Sequence, residues 1–550
     1  MRRLLVIATL LISVLGAGDW QLAVVDAQAS VPRLLVILVV DQMRADYVDL
    51  FRHRWQSGFR VLLDQGARFT AAKYPYLNTA TCTGHVSIAT GALPRTHGVI
   101  LNRWWDREER RAVNCMEDAA SPHVSYGAPA ASGNSAKRLL VPTLADELRA
   151  QRPGSRVVAL SLKPRSAIGL AGHGGAAVTW FDDGSRSFVT SRAFATAPVD
   201  AVRAFVARDS PAADLGKVWA QQDRDETYRE PDLGIGERPK AGWTALFPHP
   251  LLGVNGADAQ FYDRWQKSPF SDAYLGRMAA ALIEDLQLGR RGTTDYLAVS
   301  FSALDLMAHD FGSNSREVED LLAQLDAAIG ALIQRLDDRI GRENYVVALT
   351  SDHGASPTPD GQGGHIASED LQQIVEQTLI RRWGASPTPY AAWVGSGTVY
   401  FGDGVWDRLR RDGEAMKAVT DALLRVPGMM RVLRADAISD TSRDPIVRAA
   451  AAGYVRGRSA DLFLIPKRRW VMELRAENEA TQHGTFHDYD RHVPILLRGA
   501  GIKPGRYTGA VTPLDIAPTL ARLAGVALPM ADGRVLREAV RERSTIERLP

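Results

Sequence analysis

The chain has 550 residues, of which 45% are hydrophobic and 23% charged, and its formal net charge is only +3. This composition is typical of a globular protein and excludes a disordered, collagen-like or coiled-coil chain. The small net charge, with both signs interspersed, excludes the basic surface of a nucleic-acid-binding protein. Two cysteines, Cys82 and Cys115, are too few for a disulfide framework or a cysteine-rich zinc module.

The N-terminus has the pattern of an export signal. A short basic start precedes an apolar run over residues 4–17, which is shorter than the roughly 20 apolar residues that a membrane-spanning helix needs. We predict a signal peptide over residues 1–29 with cleavage before Ser30; the alternatives are earlier cleavage at Ala17 and an uncleaved anchor. The mature protein is then expected in the periplasm or outside the cell, free of the membrane, where a disulfide between the two cysteines is permitted.

Continuous apolar runs in the mature chain predict buried strands that end in polar residues. Runs without alternation are typical of strands covered by helices on both faces, as in a parallel sheet. Between two of the runs, apolar residues repeat at helical spacing over residues 318–336, which predicts a crossover helix. The runs are residues 34–40 before Asp41, 157–162 before Lys163, 296–301 before Asp305, 345–349 before Asp352 and His353, and 493–497 after the His483 region.

These patterns predict an α/β fold with a mostly parallel central sheet and helices on both faces. Less regular, Gly- and Pro-rich stretches lie near 105–135, 205–260 and 355–480. We interpret them as insertions over the crevice of one catalytic domain, residues 30–550, and not as linkers between independent domains. In open α/β sheets the ligand crevice lies at the carboxyl ends of the strands. The polar residues at those ends are therefore expected to converge.

Carboxylates and imidazoles concentrate at these strand ends. The members are Asp41, Asp305, His309, Asp352, His353 and His483. Asp305 and His309 are four residues apart, which places both side chains on one face of a helical turn. Mixed aspartate and histidine ligation suits divalent metals, zinc above all. The sequence therefore predicts a two-metal site.

Short motifs follow one another along nearly the whole mature chain. They are residues 40–44, 81–85, 96–98 with Asn102, 161–165, Asp305 with His309, 351–354, 483–484 and 512–519. In this order and spacing they resemble the motifs of the alkaline phosphatase superfamily, which includes the nucleotide pyrophosphatase/phosphodiesterases. Within it, the chain is most similar to bacterial periplasmic alkaline phosphatases with a threonine nucleophile. The resemblance runs from about residue 33 to 537 and implies the alkaline phosphatase-like fold.

The resemblance implies two zinc ions per chain. One would be held by Asp305, His309 and His483, and the other by Asp41, Asp352 and His353. His487 lies in the same loop as His483 and is the alternative ligand. His85 and His97 are expected to be structural or to support the ligands, and His365, in a Gly-rich loop, is expected at the surface.

The resemblance also implies a threonine nucleophile. The family pattern places it four residues before the histidine of the Gly-His pair, which is Thr81, and its hydroxyl would be the exchangeable ligand of the second zinc. Thr79 and Thr83 are the alternatives in this segment. The chain departs from the pattern by having Cys82 and Thr83 where close relatives commonly have Gly-Pro, which keeps the hydroxyl but alters the loop.

Three further residues would bind the phosphoryl oxygens: Asn102, Lys163 and Arg165. The two cations suit the double charge of a phosphate monoester, and their spacing predicts that both lie on one side of an extended chain. The sequence thus predicts a zinc-dependent phosphomonoesterase that acts on small-molecule phosphate esters through a phosphothreonine intermediate. No nucleic acid is expected as a specific partner.

Two other functions stay open. A phosphodiesterase or nucleotide pyrophosphatase shares the metal ligands but would need an apolar or nucleoside-binding pocket. A secreted metal-binding protein without catalysis is opposed by the intact Thr81 and Asn102. The sequence argues against a sulfatase, because the Cys-x-Pro-x-Arg signature is absent: Cys82 is followed by Thr83, Gly84 and His85.

Overall fold

The computed structural model describes residues 31–358, 363–473 and 479–541. The predicted signal peptide over residues 1–29 lies outside the described residues. Among the helices of the described ranges, none has the length and apolarity needed to cross a bilayer.

The described ranges contain strands in the following chain order: β1 (Leu34–Val40), β2 (Ala67–Phe69), β3 (Arg103–Asp106), β4 (Arg111–Asn114), β5 (Glu117–Ser125), β6 (Gly133–Asn134), β7 (Val157–Ser161), β8 (Ala177–Asp182), β9 (Ser187–Ser191), β10 (Val218–Trp219), β11 (His249–Pro250), β12 (Asp295–Phe301), β13 (Tyr345–Thr350), β14 (Gly364–Ala367), β15 (Ala391–Gly395), β16 (Thr398–Phe401), β17 (Met429–Arg434), β18 (Leu462–Pro466), β19 (Trp470–Glu473), β20 (Ile495–Gly499) and β21 (Gly505–Tyr507).

The α-helices of the same ranges are α1 (Tyr47–Leu50), α2 (Gly58–Gln65), α3 (Thr81–Thr90), α4 (Pro94–His97), α5 (Leu144–Gln151), α6 (Pro164–Ala171), α7 (Asp200–Arg208), α8 (Ala259–Gln266), α9 (Pro269–Asp285), α10 (Ala303–Phe311), α11 (Arg316–Arg339), α12 (Ser368–Trp383), α13 (Val405–Arg411), α14 (Gly413–Leu424), α15 (Pro445–Gly453), α16 (Asp488–Arg491) and α17 (Ile516–Ala524).

The central sheet has the strand order β21-β2-β20-β13-β1-β12-β7-β8-β9-β5-β6. Its five middle strands, β13, β1, β12, β7 and β8, run parallel to one another, which confirms the predicted α/β class. The sheet is mixed, because β20 and β9 run antiparallel to the strands that they join. The predicted strand over residues 493–497 is thus observed as β20, but with the opposite direction. An apolar run indicates burial on both faces and does not encode direction.

Strand β1 lies in the middle of the sheet and is buried along its whole length. Leu35, Ile37 and Val39 contribute to the core on the face covered by α3, α5, α6 and α17. Leu34, Val36, Leu38 and Val40 contribute to the core on the other face, with α2, α9 and α11. Full burial of an aliphatic side chain contributes roughly 1.5–3 kcal/mol, so this strand is rigidly held. The predicted crossover helix over residues 318–336 is observed as α11.

The inserted stretch near 355–480 has a core of its own. A four-stranded antiparallel sheet of order β15-β16-β18-β17 packs against α12 and α14. The less regular composition of this stretch therefore still encodes helices and strands. This small sheet lies beside the carboxyl ends of the central strands, where Trp393 of β15 and residues of β18 line the same cavity as Arg165.

Candidate metal centre

Four adjacent parallel strands deliver the predicted side chains to one edge of the central sheet. The strands β13, β1, β12 and β7 are consecutive neighbours. Asp41 directly follows β1, Lys163 follows β7, and Asp305 lies in the first turn of α10 after β12, while Asp352 and His353 follow β13. Because the strands run in the same direction, residues far apart in sequence meet at one edge.

The six predicted ligands form two compact groups. Within each group the possible ligand atoms all lie within 4.8 Å of one another. The first group is Asp305, His309 and His483, and the second is Asp41, Asp352 and His353. These are the two sets that the sequence predicted, and we call them the Asp305 set and the Asp41 set. That they bind metal stays a prediction.

The three imidazoles are oriented by backbone carbonyl groups. In each ring the Nδ1–H donates to a main-chain oxygen: Thr481 for His309 at 3.0 Å, Gly354 for His353 at 2.9 Å, and Thr79 for His483 at 3.0 Å. A proton on Nδ1 leaves the Nε2 lone pair of the neutral ring free. This is the arrangement that histidine ligands of metals use.

The Nε2 atoms face the carboxylates of their own sets. His309 Nε2 lies 3.3 Å from Asp305 Oδ1, and His483 Nε2 lies 3.8 Å from the same oxygen. In the other set, His353 Nε2 lies 3.3 Å from Asp352 Oδ2 and 3.6 Å from Asp41 Oδ1. A cation between these atoms would contact a carboxylate and an imidazole at once.

Two carboxylate oxygens at this edge are buried without a hydrogen bond from the described residues. They are Asp41 Oδ1 and Asp352 Oδ2. Such an atom costs free energy unless a cation or a donor satisfies it. Both oxygens face His353 Nε2, so the Asp41 set has the donor chemistry and the unsatisfied charge that a divalent cation needs. The residues present therefore fit the predicted metal.

Burial and neighbouring charges shift the pKa values of the site. Burial, together with the carboxylates of Asp305 and Asp352, raises the pKa of Asp41 to about 6. Burial opposes ionisation of Asp305 too, but Lys163 and His309 outweigh it and hold the pKa of Asp305 well below its usual value. The two carboxyl groups therefore differ in how readily they ionise: Asp305 loses its proton at a lower pH than Asp41 does.

Burial also acts on the imidazoles. It lowers the pKa of His353 to about 4 and that of His483 to about 3, so both rings are neutral at pH 7, as metal ligands must be. His309 differs, because Asp305 and Glu479 overcome the effect of burial and raise its pKa well above the usual value. Its protonated form pairs with these carboxylates, and a cation would compete with that proton.

Lys163 and Arg165 occupy different positions. Lys163 Nζ is buried and contacts Asp41 Oδ2 at 2.6 Å and also Asp305 Oδ2, so it bridges the two ligand sets. Arg165 lies in the first turn of α6 and lines the cavity beside the site. The expectation that both lie along one side of an extended chain is wrong, because the helix begins at Pro164.

Thr81 is the first residue of α3 and is completely buried. Its Oγ1 lies 3.4 Å from His353 Nε2, next to the Asp41 set. The hydroxyl of Thr79 instead contacts the carbonyl of Thr485 at 3.4 Å, and Thr83 Oγ1 is buried without a hydrogen bond among the described residues. Of the three threonines, Thr81 has the position expected of a nucleophile.

Helix α3 also packs directly on a ligand segment. A Cβ atom at Gly84 would lie 2.3 Å from the carbonyl oxygen of Asp352, so only glycine allows this approach. His85, one residue further, donates from Nδ1 to the Thr81 carbonyl at 2.8 Å and lies 3.3 Å from Asp352 Oδ2. It therefore contacts the segment of Thr81 and a predicted ligand, the supporting position that the sequence led us to expect.

The three other histidines considered in the sequence analysis have local contacts in the structure. His97 Nε2 contacts Ser87 Oγ at 3.0 Å, as expected of a structural residue. His487 Nε2 donates to the Pro466 carbonyl at 2.9 Å and is in neither ligand set. His365 is not at the surface as expected: it lies on β14 and contacts Glu473 at 2.7 Å, with a side chain 10% exposed.

Gln42 is a site residue that the sequence reasoning missed. Its Nε2 donates to Asp305 Oδ1 at 2.9 Å and its backbone N–H donates to Asp352 Oδ1 at 3.1 Å, so it joins the two ligand sets. Its backbone has φ 69°, which a non-glycine residue adopts only at a cost. Its place directly after Asp41, inside a recognised motif, was the available signal.

A cavity of about 350 Å³ opens beside the Asp305 set. One wall is polar, with Asn102, Arg165 and the Asp305 set. The apolar wall comes largely from the insertion near 355–480 and the loop after it. It includes Leu77, Trp393, Leu464, Met472 and Phe486. An anionic group can thus lie at the polar wall while an attached organic group contacts the apolar one.

Comparisons with known proteins agree with this geometry. A family model described as type I phosphodiesterase/nucleotide pyrophosphatase matches residues 35–490. Alkaline phosphatase PafA of Elizabethkingia meningoseptica is 31% identical over 529 residues, covering 92% of this chain and 94% of its own. Alkaline phosphatase PhoV of Synechococcus elongatus is 31% identical over 530 residues, covering 93% of both chains.

Solved structures of related proteins superpose on the chain along most of its length. The crystal structure of wild-type PafA superposes with a TM-score of 0.85 at 29% identity, covering 93% of this chain and 99% of the other. A PafA variant with substitutions at a threonine, an asparagine, a lysine and an arginine superposes equally well. Murine ectonucleotide pyrophosphatase/phosphodiesterase 5 superposes with a TM-score of 0.56 at 12% identity, covering 92% of this chain and all of the other, and shares the fold.

The loop containing His483 and His487 provides a matched test of ligand assignment. We expect His483→Ala to lower divalent-metal affinity by at least about tenfold, because the Asp305 set loses one of its three ligands. His487→Ala should leave the affinity unchanged, since its ring contacts Pro466 instead. Zinc titration calorimetry on dialysed protein measures both. If only the His487→Ala variant binds zinc more weakly, His487 is the metal ligand and His483 is not.

Proposed function

The chain belongs to the type I phosphodiesterase/nucleotide pyrophosphatase family of the alkaline phosphatase superfamily, and we propose that it is a zinc-dependent phosphomonoesterase. Its relatives make it a phosphoesterase hydrolase; the preference for monoesters, the zinc and the covalent intermediate are the proposal. The observation that carries the proposal is the position of the Thr81 hydroxyl, 3.4 Å from His353 Nε2 in the Asp41 set. The adjoining cavity is lined by Asn102 and Arg165.

The variant of PafA described above supports the assignment of the substrate-binding residues. It carries substitutions of a threonine, an asparagine, a lysine and an arginine, in this order along its chain. Thr81, Asn102, Lys163 and Arg165 are the same residue types in the same order here. We therefore assign Thr81 as nucleophile and the other three as the groups that stabilise the phosphoryl oxygens.

Zinc ions held by the two sets would supply positive charge that lowers the pKa of the Thr81 hydroxyl and stabilises the leaving oxygen. Thr81 Oγ1 would release its proton to solvent and form a bond to phosphorus as the bond to the ester oxygen breaks, and the released alkoxide takes up a proton from solvent. Water next attacks the phosphothreonine and releases inorganic phosphate, which regenerates the hydroxyl. Arg165 can bind two phosphoryl oxygens at once, and this charge-assisted contact strengthens as their charge redistributes.

A phosphodiesterase remains the second candidate, and one observation favours it. The apolar wall with Trp393 and Phe486 offers a surface for the organic group of a larger ester. The same wall also suits the leaving group of an aryl monoester, so it does not separate the two functions. Activity on an aryl phosphate against a bis-aryl phosphate does, and we expect kcat/KM to be higher for the monoester.

We also propose that the protein acts in the periplasm or outside the cell on small-molecule phosphate esters. The basic start and apolar run at the N-terminus support export. The disulfide between Cys82 and Cys115 supports an oxidising compartment.

The metal proposal predicts about two zinc ions per chain by elemental analysis of dialysed, active protein, because each ligand set offers three donors. Chelation should abolish activity, and added zinc should restore it. Full activity in protein with one metal per chain or none would contradict the proposal.

The nucleophile proposal predicts that Thr81→Ala lowers kcat by at least about a thousandfold while zinc is retained. Thr83→Ala is the matched control: its hydroxyl is equally buried and two residues away, and its loss should change kcat little. Mass spectrometry of acid-quenched enzyme should locate a phosphoryl group on the peptide with Thr81. An inactive Thr83→Ala variant together with an active Thr81→Ala variant would assign Thr83, and not Thr81, as the nucleophile.

The monoester preference is tested best at Arg165, because Lys163 also contacts ligand carboxylates. Charged hydrogen bonds contribute about 1.5–3 kcal/mol, so Arg165→Ala should lower kcat/KM for an aryl monoester roughly tenfold to a hundredfold. The loss for the diester should be smaller, since it has one charge instead of two. Arg165→Lys keeps the positive charge but cannot bind two oxygens at once, so its kcat/KM should lie between those of the wild type and Arg165→Ala. Equal losses on both esters would assign Arg165 a structural role.

A further inference from the structure

A disulfide lies directly beside the proposed nucleophile. It joins Cys82, the residue after Thr81, to Cys115, which follows β4, and both cysteines are buried. Strands β3 and β4 form a hairpin in which Arg103 pairs with Asn114. Asn102 precedes the first of these residues and Cys115 follows the second. The disulfide therefore attaches the base of the hairpin, where Asn102 lies, to the first turn of α3.

Both cysteines of this disulfide also hold Asn102 through their backbone N–H groups. Cys115 N–H donates to the main-chain carbonyl of Asn102 at 3.0 Å. Cys82 N–H donates to the side-chain oxygen Oδ1 of Asn102 at 2.7 Å. Backbone and side chain of one asparagine are thus fixed by the two halves of a single cross-link.

The second contact determines which way the amide of Asn102 points. A backbone N–H can only donate, so the atom that faces Cys82 must be the oxygen, and the NH₂ group lies on the other branch of the amide. Asn102 lines the cavity together with Arg165. Its NH₂ group is then available to donate to a phosphoryl oxygen. A flipped amide would present its oxygen, which repels a phosphate.

We propose that the Cys82–Cys115 disulfide is a positioning element for the reaction: it holds Asn102 so that its side-chain NH₂ donates to the phosphoryl group attacked by Thr81. This inference rests on the proposed function, because it needs Asn102 to bind the phosphoryl group. A disulfide can also act only on stability, by restricting the unfolded chain across its separation of 33 residues. The two roles differ in one measurable respect: only the positioning role acts through Asn102.

A double-mutant cycle tests this dependence. The proteins are the metal-loaded wild type, Cys82→Ala/Cys115→Ala, Asn102→Ala, and the triple variant. We expect removal of the disulfide to lower kcat/KM about tenfold or more when Asn102 is present, since small misplacements of a binding group are costly. With Asn102→Ala the same removal should change kcat/KM less than about twofold. The midpoint of thermal unfolding should fall equally in both backgrounds. Equal losses of kcat/KM in the two backgrounds overturn the proposal.

Asn102→Asp is the conservative control. It keeps an oxygen that can accept from Cys82 N–H but lacks the NH₂ donor, so its activity should fall at least as far as that of Asn102→Ala. Wild-type activity in Asn102→Asp would also overturn the proposal. Should the double cysteine variant not fold, the wild type and Asn102→Ala are compared before and after reduction, with thiol titration to confirm cleavage. The reductant should then lower kcat/KM in the wild type only, and an equal loss in both proteins rejects the proposal.

The cycle is run on an aryl monoester and on a bis-aryl diester. Both have non-bridging oxygens that Asn102 can bind, so the coupling is measurable on whichever ester the wild type prefers. A wild-type preference for the diester would reject the proposed function and leave the coupling result intact. Loss of coupling with a preserved monoester preference would reject only the role of the disulfide.

Discussion

Repulsion among three buried carboxylates is the constraint on which the rest of the site depends. Asp41 and Asp352 are completely buried and Asp305 is 2% exposed, all at the edge where β13, β1 and β12 end. Burial disfavours the charged form of Asp41, and the carboxylates of Asp305 and Asp352 repel it, so that its pKa is raised to about 6. The surrounding groups partly compensate this negative charge. Lys163 contacts two of the carboxylates, and Gln42 donates hydrogen bonds to two of them. The proposed pair of divalent cations would balance the remaining negative charge.

Both proposed metal sites and Thr81, the proposed nucleophile, depend on the same short segment of chain. The carbonyl of Thr79 orients His483 of the Asp305 set, and Thr81, two residues later, lies beside His353 of the Asp41 set. The rings of His353 and His483 stack with their centroids 3.6 Å apart. A shift of the turn before α3 would therefore move an imidazole ligand and the nucleophile together. The close approach of Gly84 to the Asp352 carbonyl restrains that shift from the other side.

The sequence predicted those parts of the site that follow from strand ends and local motifs. Apolar runs ending in Asp41, Lys163 and Asp352 indicated where charged groups would meet, and the structure brings them together. Other features depend on tertiary pairing, which no local pattern encodes. The direction of β20, the bridging contacts of Gln42 and the pairing of His365 with Glu473 are of this kind. The helix that begins at Pro164 could have been expected, because proline is favoured in the first turn of a helix.

The predicted metal ligands are far apart in sequence, whereas the disulfide beside Thr81 joins residues that are close in sequence. Its ligands extend from Asp41 to His483, so they meet only in the folded chain, and a cation that binds them stabilises that state alone. At a concentration of about 1,000 times Kd, such binding adds about 4 kcal/mol to the free energy of unfolding. Thr81 and Asn102 are close in sequence by comparison, and the covalent link from Cys82 to Cys115 beside them spans 33 residues. Metal binding would thus depend on residues far apart in sequence, whereas the proposed positioning of Asn102 beside Thr81 depends on a local cross-link. The two devices are separable, since neither cysteine belongs to a ligand set.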